Sequence, residues 1–114
     1  MSEKKKTPEA EVTDACVPYA ELQGWKCTRN NQGPYTRGKA AGRPDWEMVK
    51  PFKGLGITVY VEFKGPKGKL SDAQKEYQAG LIRQKCLVIT TRSFDEFRLD
   101  LQNVEKIIRE RLAG

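Results

Sequence analysis

Val12, Ala15, Cys16, Tyr19 and Leu22 recur at the three- and four-residue spacing that lines one face of a helix. Thr7 stands before Pro8 as an N-cap before a first-turn proline, and Gly24 supplies a stop. The pattern predicts a helix from Pro8 to about Leu22, which Pro18 should kink or shorten. Trp25 to Arg29 reads as a short strand, Pro44 to Val49 as a second, and Pro51 to Gly56 as a turn. Ile57 to Phe63, dense in β-branched and aromatic residues, is the strongest strand signal. Ser71 and Gln74 have capping-box spacing and open a predicted helix to about Gln84. Cys86 to Thr91 is an apolar fourth strand. Ser93, with Glu96 three residues on, opens a last helix. Its Phe94, Phe97, Leu101, Val104 and Ile108 form a stripe that packs on the sheet or serves a dimer interface.

The predicted order is helix, three strands, helix, strand, helix. Three strands in succession suggest an antiparallel meander, and the strand-helix-strand unit after them a right-handed parallel crossover. The expectation is an α/β fold with a mixed sheet and helices on both faces. Residues 8–114 read as a single domain behind a disordered polar tail at 1–7. Asn30 to Arg43 is a long loop, and loops above about 12 residues are often functional. Its Tyr35, Arg37, Lys39 and Arg43 suit a nucleic-acid backbone and a stacked base, or else belong to a flexible connection.

Composition narrows the function. Hydrophobic residues at 38% and charged residues at 32% give a globular balance. The net charge of +6 favours polyanion partners, although solubility alone would also account for it. No stretch approaches the roughly 18 apolar residues of a membrane span, and no apolar run follows the charged N-terminus as a signal peptide would require. The expected location is the cytoplasm, or the host cytoplasm for a virus- or mobile-element-encoded protein. Cys16, Cys27 and Cys86 form no C-x-x-C pair and read as buried free thiols. The absence of His removes Ser-His-Asp triads, Cys-His pairs and His-containing zinc sites together. Hydrolytic chemistry would have to rest on carboxylates, lysine and a recruited metal.

In Val61-Glu62-Phe63-Lys64, alternation sets Glu62 and Lys64 on one strand face and Val61 and Phe63 on the other. A charged outer face would give the same tetrapeptide. Asp45 begins a strand predicted to neighbour that of Glu62, and two acids on adjacent strands can converge on one hard cation. Pro44-Asp45 alone would equally suit a turn. Glu47 shares the strand face of Asp45, as a third acid of the site or as a solvent-facing residue. Gly65-Pro66-Lys67-Gly68-Lys69 lacks the Walker spacing, which excludes a nucleotide cofactor of that type. Lys67 and Lys69 suit a nucleic-acid backbone instead.

Gly42-Arg43-Pro44-Asp45, then Val61-Glu62-Phe63-Lys64-Gly65, then Leu70-Ser71 and Gln74, resemble the virus-type replication-repair nuclease (VRR-NUC) family of the PD-(D/E)xK superfamily. A Glu-x-x-(apolar) helix ending in Gly24, followed by Arg29-Asn30-Asn31, adds to the likeness, which runs over roughly residues 9–97. The resemblance implies a restriction-endonuclease-like core and Mg²⁺- or Mn²⁺-dependent cleavage of DNA. It implies Asp45 and Glu62 as metal ligands with the Phe63 carbonyl as a third, and Lys64 as the lysine that orients or activates water. It also implies Gln74 as the helix glutamine near the site, and Glu11 as the first-helix acid that holds metal through water. Glu9 competes for that last role; Glu11 is favoured by its distance from Gly24. Gln74 alternatively serves only the capping box. Short family members resemble Holliday-junction resolvases, so a resolvase-like or nicking homodimer on branched or flexible DNA is the expected partner arrangement. The competing reading is a non-catalytic nucleic-acid-binding module on the same fold.

Overall fold

The computed structural model describes residues 5–30 and 41–114. Helix α1 spans Pro8–Leu22 and strand β1 Lys26–Arg29. Strands β2 (Trp46–Phe52) and β3 (Leu55–Phe63) follow, then helix α2 (Asp72–Arg83), strand β4 (Leu87–Thr91) and helix α3 (Phe94–Ala113). Each helix begins as its sequence predicts. The Thr7 hydroxyl accepts from Ala10 N at 3.1 Å. The Ser71 hydroxyl accepts from Gln74 N at 3.1 Å, and Gln74 Oε1 accepts from Ser71 N at 2.8 Å. The Ser93 hydroxyl accepts from Glu96 N at 3.1 Å. These bonds satisfy amide groups that the first turn of a helix cannot.

Helix α1 runs on through Pro18 instead of stopping there. Pro18 and Asp14 both lie on its exposed side, where water can take the carbonyl that proline leaves without a donor. The helix ends at Gly24, whose φ of 99° is the left-handed conformation a helix stop requires. Trp25 N then donates back to Ala20 O at 3.0 Å, which turns the Trp25 ring into the core.

The sheet order is β1-β2-β3-β4. β1 pairs antiparallel with β2, β2 antiparallel with β3, and β3 parallel with β4. The meander and the parallel crossover are therefore both present, and the fold is an α/β, PD-(D/E)xK-like one. β2 starts two residues after the expected Pro44 and continues past Val49 to Phe52. The turn is the two-residue Lys53-Gly54, with φ of 51° and 80°, not the whole of 51–56. Two positive-φ residues match the twist of a tight hairpin, so pairing can run up to them. Pro51 is tolerated because β1 reaches β2 only as far as Val49, so no ladder hydrogen bond on that side needs its missing N–H.

α1 and α3 cover one face of the sheet. Val12, Cys16 and Ala20 meet Val59, Val61, Phe63 and Ile89 there, with Phe97, Leu101, Val104 and Ile108 of α3. The α3 stripe is thus spent inside the monomer and is not available as a dimer interface. Phe94 packs beside it, edge-on to Tyr19 at 5.2 Å. α2 lies against β4 from the opposite face, which also carries Glu47, Tyr60, Glu62 and Thr90. Residues 5–7 have no regular structure, and the remainder of the expected tail lies outside the described residues. No helix among the described residues is long and apolar enough to cross a membrane.

Candidate active site

The last residues of β3 define the site. Alternation sends Val61 and Phe63 into the core and Glu62 to the α2 face, but Glu62 gains no exposure from facing that way. It is 1% exposed, and its Oε1 has no hydrogen-bond partner. Burial pushes its carboxyl up to about 7; Asp45 raises it further, Lys64 opposes the rise and Glu9 adds to it. Trp46 pairs with Val61 in the antiparallel register, so Asp45 falls opposite Glu62 one step on. The two acids that the sequence sets far apart are brought together at one sheet end. Lys64 N donates to Thr91 O at 2.9 Å, which extends the parallel ladder past the end of β3 and fixes the backbone that carries the lysine.

The Gly42–Asp45 segment is held from two sides. Gly42 has a φ of 82°, and a Cβ there would lie 2.1 Å from Ala73 O and 2.8 Å from Gln74 N. Only glycine lets this segment press against the start of α2. On the other side Asn30 N donates to Asp45 O at 2.6 Å, and Asn30 Nδ2 donates to Pro44 O at 3.1 Å and Glu47 Oε1 at 3.3 Å. Asn30, which the sequence reading gave no individual role, is therefore the clamp on the Asp45 backbone. Arg43, expected to meet nucleic acid, pairs with Glu47 at 2.5 Å and keeps 37% of its side chain exposed. That bridge and the Asn30 bond both engage Glu47 through its Oε1.

Glu9, not Glu11, is the first-helix acid brought to the site. Glu9 lines a cavity of about 230 Å³ with Thr13, Asp14, Arg29, Asp45 and Phe63. Glu11 does not line that cavity; it borders an open groove of about 590 Å³ beside Gly65, Pro66 and Lys67, which Glu9 borders as well. The approach of α1 depends on Gly65, where a Cβ would lie 3.0 Å from Pro8 Cβ. The distinguishing signal was in the sequence, since Glu9-x-x-Val12 fits the Glu-x-x-(apolar) pattern and Glu11-x-x-Asp14 does not.

Gln74 lies one element away from the acids, its side-chain oxygen engaged at Ser71 in the capping box. Lys67 and Lys69 are exposed on the loop that follows Lys64. Arg92 joins that loop, its Nε donating to Gly68 O at 2.8 Å, and so adds a cation next to the Lys64–Thr91 contact. Nothing in the sequence pattern singled it out. Tyr35, Arg37 and Lys39 lie outside the described residues. All three cysteines are free. Cys16 is buried, whereas Cys27 and Cys86 are half-buried. Burial pushes the Cys16 thiol to about 12 and, with Glu21 adding, the Cys27 thiol to about 11. Neither is a nucleophile at neutral pH.

Among the described residues no group of three or more Asp, Glu, Cys or His side chains is gathered for a metal. The donor set still fits a hard divalent cation. Mg²⁺ is held by one or two carboxylates and keeps several waters, and the buried Glu62 oxygen beside Asp45 has no protein partner to displace.

The family model for the VRR-NUC domain matches residues 4–95 of the chain. No curated protein matches it.

Proposed function

Because the chain belongs to the VRR-NUC family, whose nuclease domain generally uses divalent metals, we propose that it is a Mg²⁺- or Mn²⁺-dependent endonuclease acting on DNA. Asp45, Glu62 and Lys64 are its catalytic set. One observation carries the reading: Glu62 Oε1 is buried beside Asp45 without a partner. A buried carboxylate oxygen in that condition costs stability unless something binds it, which a site for a cation explains and a structural residue does not.

Asp45 and Glu62 would hold the cation, with the Phe63 carbonyl as a further oxygen and Glu9 reaching it through water. The bound cation supplies positive charge for the phosphate and makes water more acidic. Lys64 shares the strand face of Glu62, orients the attacking water and stabilises negative charge developing on the phosphate. Lys67, Lys69 and Arg92 hold the backbone on the leading side of the cut. Gln74 acts one step back, by fixing the start of α2 against which Gly42 seats the Asp45 segment. We propose further that the substrate is branched or flexible DNA, which the protein resolves or nicks, and that it meets the DNA as a homodimer, two symmetric cuts requiring two sites.

The test is incubation of labelled four-way junction, duplex and single-stranded DNA with Mg²⁺, Mn²⁺ or EDTA, beside Lys64→Ala. Cleavage should require metal and fall by about 10²-fold or more in the variant, the scale of losing one electrostatic group at a phosphate. Binding to every substrate without cleavage in either metal would replace the reading with that of a binding module. A solution mass of one chain on the junction would remove the dimer.

A further inference from the structure

Gln78 lies on α2 one turn after Gln74, and it is nine-tenths buried, at 9% exposure. Its Oε1 accepts from Thr90 Oγ1 at 3.1 Å, and its Nε2 is buried without a partner. Thr90 pairs with Glu62 in the parallel register, so their side chains share the α2 face on neighbouring strands. Paired strands run about 4.8 Å apart. Two buried polar atoms at this face lack partners, the Gln78 amide on α2, held beside β4 by Thr90, and Glu62 Oε1 on β3. They do not bond each other. A group that serves both must accept from the amide and donate to one lone pair of the carboxylate, whose remaining lone pairs stay open to the cation. Water does both.

Building on the nuclease reading, we infer that Gln78 is a positioning residue for Glu62, its amide sharing one ordered water with the Glu62 carboxylate and so fixing the direction in which that carboxylate faces the site. Thr90 holds the amide in place. Carboxylates that bind metals are commonly oriented by such outer partners, whose loss weakens metal affinity or activity by about 10- to 100-fold. A buried amide with only structural purpose would leave metal affinity unchanged. Its replacement by an apolar residue of similar volume would remove an unsatisfied donor and raise stability without touching the site.

Gln78→Met separates the two roles. Mn²⁺ binding to the full chain is measured by calorimetry without DNA, and thermal stability without metal. The inference expects Mn²⁺ affinity to fall about tenfold while the midpoint of unfolding does not fall. Affinity within twofold of the parent overturns it. Should Gln78→Met fold poorly, Thr90→Val removes the hydroxyl that holds the amide and should give the same loss, with unchanged affinity again overturning the inference. Absence of Mn²⁺ binding by the parent chain also overturns it. Mn²⁺ binding without cleavage of any DNA defeats only the nuclease reading.

Discussion

Two glutamates are largely withdrawn from water at opposite ends of β2, and they are treated in opposite ways. Glu105, on α3, keeps only 16% of its side chain exposed and is surrounded by donors. Trp25 Nε1 donates to its Oε1 at 3.0 Å, Lys50 Nζ stands 3.7 Å away, and Arg109 Nη2 lies 3.4 Å from its Oε2. Lys50 in turn donates to Gln23 O at 2.7 Å and sits over the rings of Trp25 and Phe52. At the other end Glu62 has an orphaned oxygen, a neighbouring acid and a carboxyl pushed up to about 7. The first end ties α3 and the α1–β1 corner to the hairpin. The second holds a charge that the fold alone does not neutralise. Proteins accept such a local deficit where a ligand completes it.

The strongest way to break the comparison is to remove the satisfied acid. Glu105→Ala leaves the Trp25 indole N–H unpaired and Lys50 without its carboxylate. Loss of one partner from a largely buried pair costs more than the pair contributes, because the other is stranded. The expected loss is about 3 kcal/mol in urea unfolding, with the cleavage rate per folded molecule unchanged. If Glu105→Ala abolished cleavage at full stability, the division between a structural and a functional end would be wrong.

Glu62→Gln should act in the reverse sense. The folded carboxyl, at about 7, lies above the ordinary value of 4.5 for the unfolded chain. Between those values the folded state keeps a proton that the unfolded chain has released. Stability without metal therefore falls as pH rises through the window, and the penalty is absent below it. Glutamine carries no charge and escapes the penalty. The variant should exceed the parent by about 2 kcal/mol at pH 8, within the roughly 1.4 kcal/mol per pH unit that such a shift allows. The two should agree at pH 4. Saturating Mg²⁺ or Mn²⁺ should narrow the gap at pH 8 by stabilising only the parent. Parallel stability curves for the two proteins from pH 4 to pH 8 would show that Glu62 is not penalised by its burial.

The contrast between the two ends also explains what could be read from the chain. Helix starts were legible because Thr7, Ser71 and Ser93 act within three residues of themselves. The meander and the parallel crossover followed from three strands in succession and from a helix set between two strands. Asp45 and Glu62 could be joined because the hairpin register carries one opposite the other. The length of β2 was misjudged because Pro51 reads as a turn until the reach of β1 is known. The pairing of Arg43 with Glu47 is not legible, because it is a contact of the folded corner and not of a periodic pattern. Asn30, Gln78 and Arg92 owe their importance to bonds across elements, and no local spacing announces such a bond.

Glu9 and Glu11 offer the smallest but sharpest contrast, since they share a helix turn and a charge and differ in what they face. Both border the open groove beside Pro66, but only Glu9 also lines the cavity with Asp45 and adds to the electrostatic load on Glu62. Both are exposed first-turn acids, so their helix-dipole contributions are alike and cancel in the comparison. Glu9→Gln should lower metal-dependent cleavage about tenfold, within the range found for outer-shell partners of a metal site. Glu11→Gln should stay within twofold of the parent, and both variants should unfold at nearly the same urea concentration. The reverse order of effects would mean that the first turn of α1 presents its acids to the substrate differently when DNA is bound. Equal effects would reduce both residues to a shared background charge, leaving Asp45 and Glu62 alone to meet the cation.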